Sequence, residues 1–284
     1  MTTILNNNFV SAEIKSLGAE LISLKNNTNT EYLWEGNPQF WGKHSPVLFP
    51  IVGALKNDTY QCDSIEYNLS RHGFAREMEF ELIEKTDSKA VFSIQSTKNT
   101  LLKYPFEFEL QIIYTLEAKS LTITYKVINR NDVKMPFSIG AHPALALPNN
   151  FENYSIQFSE KETLNYHLLE NNLIAETTKE LPLSKQNTVG LNYQLFANDA
   201  LIFKTIQSKT LSILENNNPI IRVHYTDFPS LGIWTVPDAP FVCIEPWLGY
   251  ADTVDCTGNI FEKEGILILD PKHTFKSQFT IEIV

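Results

Sequence analysis

Residues 121–127, LTITYKV, carry the pattern that decides the fold. Apolar side chains occupy every second position, and threonine or lysine fills the positions between them. A period of two residues is typical of an antiparallel strand that buries one face and exposes the other. The same alternation recurs in residues 106–110, FEFEL, and in residues 279–283, FTIEI. The sequence therefore predicts a sheet of half-exposed antiparallel strands.

Strand-like segments follow one another along the chain, separated by Asn, Asp, Gly and Pro. Helical periodicity is scarce, and only residues 97–104 predict a short turn of helix. The polar residues 170–192 predict a long loop. Closely spaced strands without intervening helices favour a β-sandwich or a barrel over a sheet of βαβ units. With no internal repeat or linker, the chain predicts one all-β domain over residues 1–284.

The charge of the chain limits its partners. The net charge of −10 argues against nucleic acid or an anionic membrane surface as the main partner. No apolar run approaches the ~20 residues of a membrane span, and the first residues lack the pattern of a signal peptide. The three cysteines are an odd number without CxxC spacing, which favours reduced thiols. We therefore expect a cytoplasmic protein.

Residues 241–252, FVCIEPWLGYAD, contain the first candidate for chemistry. The apolar run predicts a buried strand, and we expect Glu245 to end it because Pro246 follows. The carboxyl group would then lie beside the large ring of Trp247. Apolar surroundings raise a carboxyl pKa, which suits an acid or base that works near neutral pH. The alternative is a structural glutamate satisfied by a backbone amide or an arginine.

His142 is the second candidate, in residues 139–145, IGAHPAL. Its small and apolar neighbours predict burial, which lowers a histidine pKa. A lone histidine among apolar residues is more often a satisfied core residue than a catalyst. His142 gains significance because His72 and Glu245 also fall at breaks in strands, where functional residues concentrate.

Residues 70–76, SRHGFAR, could supply further polar groups. His72 and Gly73 predict a tight turn that allows a ligand or a backbone to approach closely. Arg71 and Arg76 could donate to hydroxyl groups, a carboxylate or a phosphate. Alternatively, the arginines pair with neighbouring glutamates and His72 only fills the turn.

Residues 41–53, WGKHSPVLFPIVG, predict a bent and partly buried segment. The segment could bring Trp41 and Lys43 to a site, whereas we interpret His44 as part of a loop that crosses the core. The rings of Trp41 and Trp247 could cover the apolar face of a ligand, and core packing explains them equally well. For Trp234 we favour a place in the core.

The segments SPVLFPIVG, RHGFAR, GAHPAL and FVCIEPWLGYAD, in this order and spacing, resemble the aldose 1-epimerase (galactose mutarotase) family. The likeness is to its LacX-like bacterial branch and runs from GAELISL near the start to the closing strands. It implies a large antiparallel β-sandwich, the galactose mutarotase-like supersandwich, with a sugar in an open cleft. It also implies an isomerase of the EC 5.1.3 type, acting in carbohydrate metabolism. Such enzymes open the ring of a hexose, rotate the C1–C2 bond and close the ring as the other anomer.

The resemblance also implies roles for individual residues. Glu245 would take the proton of the anomeric hydroxyl, and His142 would protonate the ring oxygen. His72 would contact the ring oxygen or a neighbouring hydroxyl. Asp199, in NDALIF, matches the family's substrate-binding aspartate, with a plain turn residue as the alternative.

One loop departs from the family pattern. Galactose mutarotases have a Gly-Arg pair there, but PIVGALKN has no arginine after Gly53, so galactose is not specified as the substrate. Two alternatives stay open. A hexose-6-phosphate 1-epimerase would bind phosphate with Lys43, Arg71 and Arg76. A non-catalytic carbohydrate-binding protein would need only hydroxyl donors and an aromatic platform.

The predicted chemistry requires only a sugar and two proton-transferring side chains. We therefore expect no cofactor, and a small-molecule sugar as the partner. Two histidines and a glutamate can bind zinc, but His72, His142 and Glu245 lack a short His-x-x-x-His spacing. We predict no metal site.

Overall fold

The computed structural model describes residues 1–284 and is built largely from β-strands. In chain order the strands are β1 (Thr2–Asn6), β2 (Val10–Lys15), β3 (Glu20–Asn26), β4 (Val47–Leu48), β5 (Thr59–Cys62), β6 (Ile65–Asn68), β7 (Glu81–Lys85), β8 (Lys89–Gln95), β9 (Phe108–Glu117), β10 (Ser120–Asn129), β11 (Met135–Phe137), β12 (Ile139–Ala141), β13 (Ala144–Ala146), β14 (Tyr154–Phe158), β15 (Asn165–Glu170), β16 (Leu173–Glu180), β17 (Thr188–Gly190), β18 (Leu201–Phe203), β19 (Thr210–Glu215), β20 (Asn218–His224), β21 (Ser230–Trp234), β22 (Phe241–Leu248), β23 (Leu267–Leu269) and β24 (Thr274–Ile283).

Helical structure is limited to short segments. The only α-helix is α1 (Lys98–Leu101), which confirms the predicted turn of helix and starts at a Thr97 cap. Single 3₁₀ turns occur at Lys56–Asp58, Ala75–Glu77, Phe151–Asn153, Tyr193–Phe196 and Ile260–Glu262. No helix is both long enough and apolar enough to cross a bilayer.

Two large antiparallel sheets form the fold, as the alternating pattern predicts. One has nine strands in the order β17-β14-β19-β20-β24-β10-β9-β8-β7, and the other has the order β16-β15-β18-β21-β22-β12-β4 with β13 also paired to β22. A cluster of 67 buried hydrophobic residues takes side chains from both sheets, including Ile123 and Phe279 from the first and Ile233 and Ile244 from the second. The protein is therefore a large β-sandwich.

The stretch 121–127 forms the middle of β10, which pairs with β9 on one side and with β24 on the other. Its apolar positions are buried and its polar positions are partly exposed. Burial of a large apolar side chain contributes roughly 1.5–3 kcal/mol, so a register slip by one residue would lose the core contribution of the whole strand.

The prediction of a long loop over residues 170–192 was wrong, because this range contains all of β16 and β17. Ile174 and Ala175 are buried, while the following residues of β16 are exposed. β16 lies at the edge of its sheet, where one side of the strand has no neighbouring strand. An edge strand can remain polar, so hydrophobic periodicity did not reveal it.

The prediction that a strand ends at Glu245 was also wrong, because β22 continues through Pro246 to Leu248. On one side β22 pairs with β21 without interruption from Cys243 to Trp247. On the other side β13 pairs with residues up to Cys243 and β12 pairs again from Trp247, so residues 244–246 face a gap between two short strands. A proline, which cannot donate a backbone hydrogen bond, is tolerated beside such a gap.

Candidate functional site

A cleft of about 300 Å³ opens over the middle of β22 and brings the predicted residues together. His72, His142 and Glu245 all lie in its wall, although they are far apart in the sequence. The other lining residues are Trp41, Gly53, Ala54, Arg71, Arg76, Leu169, Asn172, Asp199, Ala200, Ile202, Trp234, Trp247 and Ala251.

The floor of the cleft is one face of the β21–β22 pair. Cys243, Glu245 and Trp247 are two residues apart along β22, so their side chains point to the same face. The indole of Trp247 lies flat across both neighbouring strands, because a Cβ atom added at Gly140 or Gly232 would meet the ring at 2.6 Å. The two glycines thus make room for a broad aromatic surface beside the carboxyl group of Glu245.

Glu245 and His142 meet at the gap beside β22. His142 and Pro143 form the break between β12 and β13, and the break brings the imidazole Nε2 within 3.2 Å of the Glu245 Oε2. This contact leaves no room for a pyranose between the two side chains. They sit on adjacent chain segments of one sheet, where side chains on the same face are direct neighbours. A sugar would lie over the pair.

Burial shifts the pKa values of both groups of the pair toward their uncharged forms. Burial raises the pKa of Glu245 well above its ordinary value, although the guanidinium of Arg71 opposes this shift. Burial lowers the pKa of His142 to about 3. Both shifts favour the uncharged forms, a protonated carboxyl group beside a neutral imidazole. Moving the carboxyl proton from one partner to the other gives carboxylate and imidazolium without any exchange with solvent.

His72 approaches the same pair from a left-handed turn and is fixed by the backbone of Gly53. The Gly53 N–H donates to His72 Nδ1 at 3.1 Å, and the His72 N–H donates to the Gly53 carbonyl at 2.9 Å. Burial, together with His142 and the two nearby arginines, lowers the pKa of His72 well below its ordinary value. The Arg71 Nε–H donates to His72 Nε2 at 3.3 Å, so both ring nitrogens of His72 face N–H donors.

Arg71 and Arg76 both line the cleft, so they do converge as possible substrate-binding residues. The Arg71 Nη1 donates to Asn172 Oδ1 at 3.3 Å, and Arg76 donates to the Arg71 carbonyl at 2.9 Å. The buried Arg76 Nε has no hydrogen-bond partner, and the nearest oxygen of Glu77 is 3.9 Å away. The alternative that the arginines pair with neighbouring glutamates holds for Arg76, which forms a long ion pair with Glu77, whereas Arg71 binds Asn172.

Two tryptophans form an aromatic wall around His142. Trp41 stacks on the imidazole with ring centres 4.7 Å apart, as expected for a residue of the site. Trp234 meets the imidazole edge-on at 5.5 Å and lines the cleft, so its expected place in the core was wrong. Cys243, which pairs with Trp234 across the strands, is fully buried at this end of the site.

The remaining predicted residues divide into those at the site and those outside it. Asp199 lines the cleft, with its carboxylate accepting from the Ala200 N–H at 2.7 Å. Lys43 does not line the cleft, because the bend after Trp41 leads the chain away from it. His44 is also outside the cleft, and its backbone N–H donates to Glu20 at 2.7 Å, in agreement with a structural role.

Sequence reasoning missed Asn172, which reaches Arg71 from the turn between β15 and β16. Asn171 and Asn172 both have positive φ, as a two-residue hairpin turn requires. The signal was present as an Asn-Asn pair between two short apolar runs, LL and LIA. The polar character of the surrounding residues concealed it.

The possible zinc ligands His72, His142 and Glu245 are not the group that lies closest together. Potential ligand atoms of His142, Cys243 and Glu245 all lie within 4.8 Å of one another. Burial raises the pKa of the Cys243 thiol well above its ordinary value, which favours the protonated thiol over a metal-binding thiolate. The arrangement suits proton transfer between His142 and Glu245 better than metal binding.

The fold agrees with comparisons to known proteins. Residues 1–277 match the family model for aldose 1-epimerase. The chain is 34% identical to the plasmid-encoded protein LacX of Lactococcus lactis subsp. lactis over 299 aligned positions, which cover 100% of both chains. The chain belongs to the aldose 1-epimerase family.

Solved structures of relatives have the same fold. A galactose mutarotase related enzyme from Lactobacillus acidophilus is 33% identical with a TM-score of 0.95, covering 100% of this chain and 97% of that one. A galactose mutarotase-like protein from Lactobacillus casei is 28% identical with a TM-score of 0.95, and 100% of both chains is covered. The family supports a sugar epimerase role.

Proposed function

We propose that the protein is an aldose 1-epimerase that interconverts the α and β anomers of a hexose. The observation that carries this proposal is the 3.2 Å contact between the buried side chains of Glu245 and His142 at the floor of the cleft. In a pyranose the anomeric oxygen O1 and the ring oxygen O5 are bonded to the same carbon, C1. An acid and a base that serve both oxygens must therefore lie side by side, as these two groups do.

In the proposed reaction Glu245 acts as the carboxylate base and His142 as the imidazolium acid. Glu245 accepts the proton of O1, the C1–O5 bond breaks, and O5 accepts the proton of His142. The products of this step are an open-chain aldehyde, a protonated carboxyl group and a neutral imidazole. After rotation about the C1–C2 bond, the O5 hydroxyl attacks the other face of C1. The two protons then return, one to His142 and one from Glu245 to O1.

Three neighbouring groups would assist the reaction. The ring of His72 would contact O5 or an adjacent hydroxyl. Trp41 holds the ring of His142 by stacking at 4.7 Å. Arg71 favours the ionised form of Glu245, because its charge lowers the carboxyl pKa. Binding of a polar sugar in the cleft would further stabilise the charged form of the pair.

The direct test is NMR measurement of anomer exchange in glucose and galactose, with the parent protein and without protein. We expect exchange well above the uncatalysed rate for at least one neutral hexose. A parent protein that binds sugar but gives no excess exchange with any sugar tested would identify the fold as a carbohydrate-binding protein and overturn the proposal.

A hexose 6-phosphate is a second candidate substrate, favoured by the position of two arginines in one cleft. The Arg76 Nε is buried without a partner, and neither guanidinium has a carboxylate within hydrogen-bond distance. A phosphate group could accept from both side chains. Lys43 would take no part, because it lies outside the cleft.

Matched substrates distinguish the two candidates. Anomer exchange of glucose and glucose 6-phosphate would be compared at equal concentrations for the parent, Arg76→Met and Lys43→Met. A neutral-hexose enzyme keeps its preference for glucose in all three proteins. A preference for the phosphate that is lost in Arg76→Met and kept in Lys43→Met would establish the second candidate.

A further inference from the structure

A buried ion pair lies directly behind the cleft, next to the lining residue Ala251. The Nζ of Lys263 is 2.7 Å from the Oδ1 of Asp252, and the two residues are only 6% and 4% exposed. Neither residue lines the cleft. Removing two charges from water is costly, and a buried pair of this kind is weak evidence for stability by itself. Its other contacts indicate a different role.

Asp252 connects two walls of the cleft to Lys263. Its Oδ2 accepts from the Lys56 N–H at 2.9 Å, and its own N–H donates to the Ala54 carbonyl at 2.9 Å. Its carbonyl accepts from the Ile174 N–H at 2.8 Å, two residues beyond Asn172 in the β15–β16 hairpin. One aspartate thus binds both the segment 53–56 and the hairpin.

The segment 53–56 is the one that holds His72. Gly53 donates to His72 Nδ1 at 3.1 Å and accepts from the His72 N–H at 2.9 Å. Gly53 also packs so closely on Ala251 that an added Cβ would approach it to 2.5 Å. A displacement of residues 53–56 would therefore change both the position of the His72 ring and the acceptor state of its Nδ1.

We infer that Asp252 is a positioning residue that fixes the His72 ring through Lys56, Ala54 and Gly53, and that Lys263 keeps the aspartate in place. The carboxylate supplies the oxygen that accepts from the Lys56 N–H. The ammonium group of Lys263 neutralises the carboxylate where water does not reach it. This role differs from that of Glu245 and His142, because neither Asp252 nor Lys263 touches the sugar.

Two double variants that both remove the ion pair separate positioning from stability. Asp252→Asn with Lys263→Met keeps one oxygen that can accept from the Lys56 N–H, whereas Asp252→Ala with Lys263→Met removes it. Neither variant leaves an unpaired charge in the interior. The readout is the tautomer of His72 in ¹⁵N-histidine-labelled protein, observed by two-bond ¹H–¹⁵N correlation and assigned with His72→Asn. A thermal melt accompanies each sample.

We expect the asparagine double variant to keep the parent tautomer of the His72 ring. The alanine double variant should give a mixture of tautomers and a kcat/KM lower by about 10- to 100-fold, as expected for a misplaced catalytic group. An alanine double variant that folds with an unchanged His72 ring would overturn the inference. If the alanine double variant does not fold, the asparagine double variant provides the test. A folded asparagine double variant with a changed His72 tautomer would contradict the role of the oxygen that it retains.

Only the predicted loss of kcat/KM rests on the proposed function. If the parent protein catalyses no anomer exchange, the proposed function fails, and the tautomer of His72 still tests the positioning role independently.

Discussion

Two glutamates are buried in the two sheets of the sandwich, and their surroundings differ sharply. Glu109 in β9 is 5% exposed and binds Arg130, Gln111 and Ser93. Burial alone would raise its pKa, but these hydrogen bonds outweigh it and the pKa is lowered. Glu245 in β22 is 1% exposed, and its Oε2 has no well-aligned hydrogen bond. Its pKa is raised well above the ordinary value.

The comparison shows that burial of a carboxyl group does not identify its role. Polar partners fix Glu109 as a carboxylate, and a fixed carboxylate has no proton to exchange. Glu245 lacks such partners and lies 3.2 Å from His142 Nε2 at the wall of an open cleft. An incompletely hydrogen-bonded buried acid costs stability, and proteins retain such groups where they serve chemistry.

The largest difference between the two glutamates should appear in turnover. Glu245→Gln keeps the shape of the side chain but cannot accept the proton of O1, so anomer exchange should fall by about 10²–10⁴-fold. Sugar affinity should change little. Glu109→Gln is the matched control, and its turnover should stay within about twofold of the parent per folded protein. Saturation-transfer NMR measures all three proteins, and equal turnover in the parent and Glu245→Gln would contradict the role of Glu245.

A second substitution tests whether Glu245 acts together with His142. His142→Asn removes the acid, so it should also lower turnover by about 10²–10⁴-fold. The double variant with Glu245→Gln should lose much less than the product of the two single losses, because both groups serve one proton transfer. Full multiplication of the two losses would show that the groups act independently.

Ordinary pKa values would assign the acidic limit of activity to Glu245 and the alkaline limit to His142. We expect the opposite assignment. The active pair holds one proton, so activity should fall below pH about 3, where His142 accepts a second proton. It should also fall on the alkaline side, above the raised pKa of Glu245, where the last proton leaves. Rates of anomer exchange measured as a function of pH test this prediction. An activity that rises from pH 4 to 6, as an ordinary carboxylate base would give, contradicts it.

The smallest effect concerns stability, and its sign should differ between the two glutamates. Because the folded-state pKa of Glu245 is raised above 4.5, stability is lost as pH rises from 4.5 toward the folded pKa. Glu245→Gln removes this cost and should raise the Tm by a few degrees at pH 8. The lowered pKa of Glu109 contributes stability above pH 4.5 that is lost as pH falls through the folded pKa.

Glu109→Gln should therefore lower the free energy of unfolding at pH 8 by on the order of 1 kcal/mol. Thermal melts of the parent and both variants at pH 4 and pH 8 measure the two signs. A lower Tm for Glu245→Gln at pH 8 would indicate that Glu245 is a structural glutamate.

The sequence by itself determined the strands and their faces. Alternation in residues 121–127 depends only on which side chains avoid water, so it predicted the buried side of β10 correctly. The motifs around His72, His142 and Glu245 also indicated the candidate site. The polar edge strand β16 escaped prediction because its exposed residues have no apolar period to reveal it.

Only the tertiary structure decided how the candidate residues meet. The gap between β12 and β13 places His142 beside Glu245, and no local pattern in either segment encodes that distance. Trp234 lines the cleft and Lys43 does not. Contacts between residues that are far apart in the chain decide both positions. The tertiary structure also decided the direction in which the pKa of each buried glutamate is shifted. A carboxyl pKa depends on the partners that surround it in space, and those partners come from strands paired across the sheet.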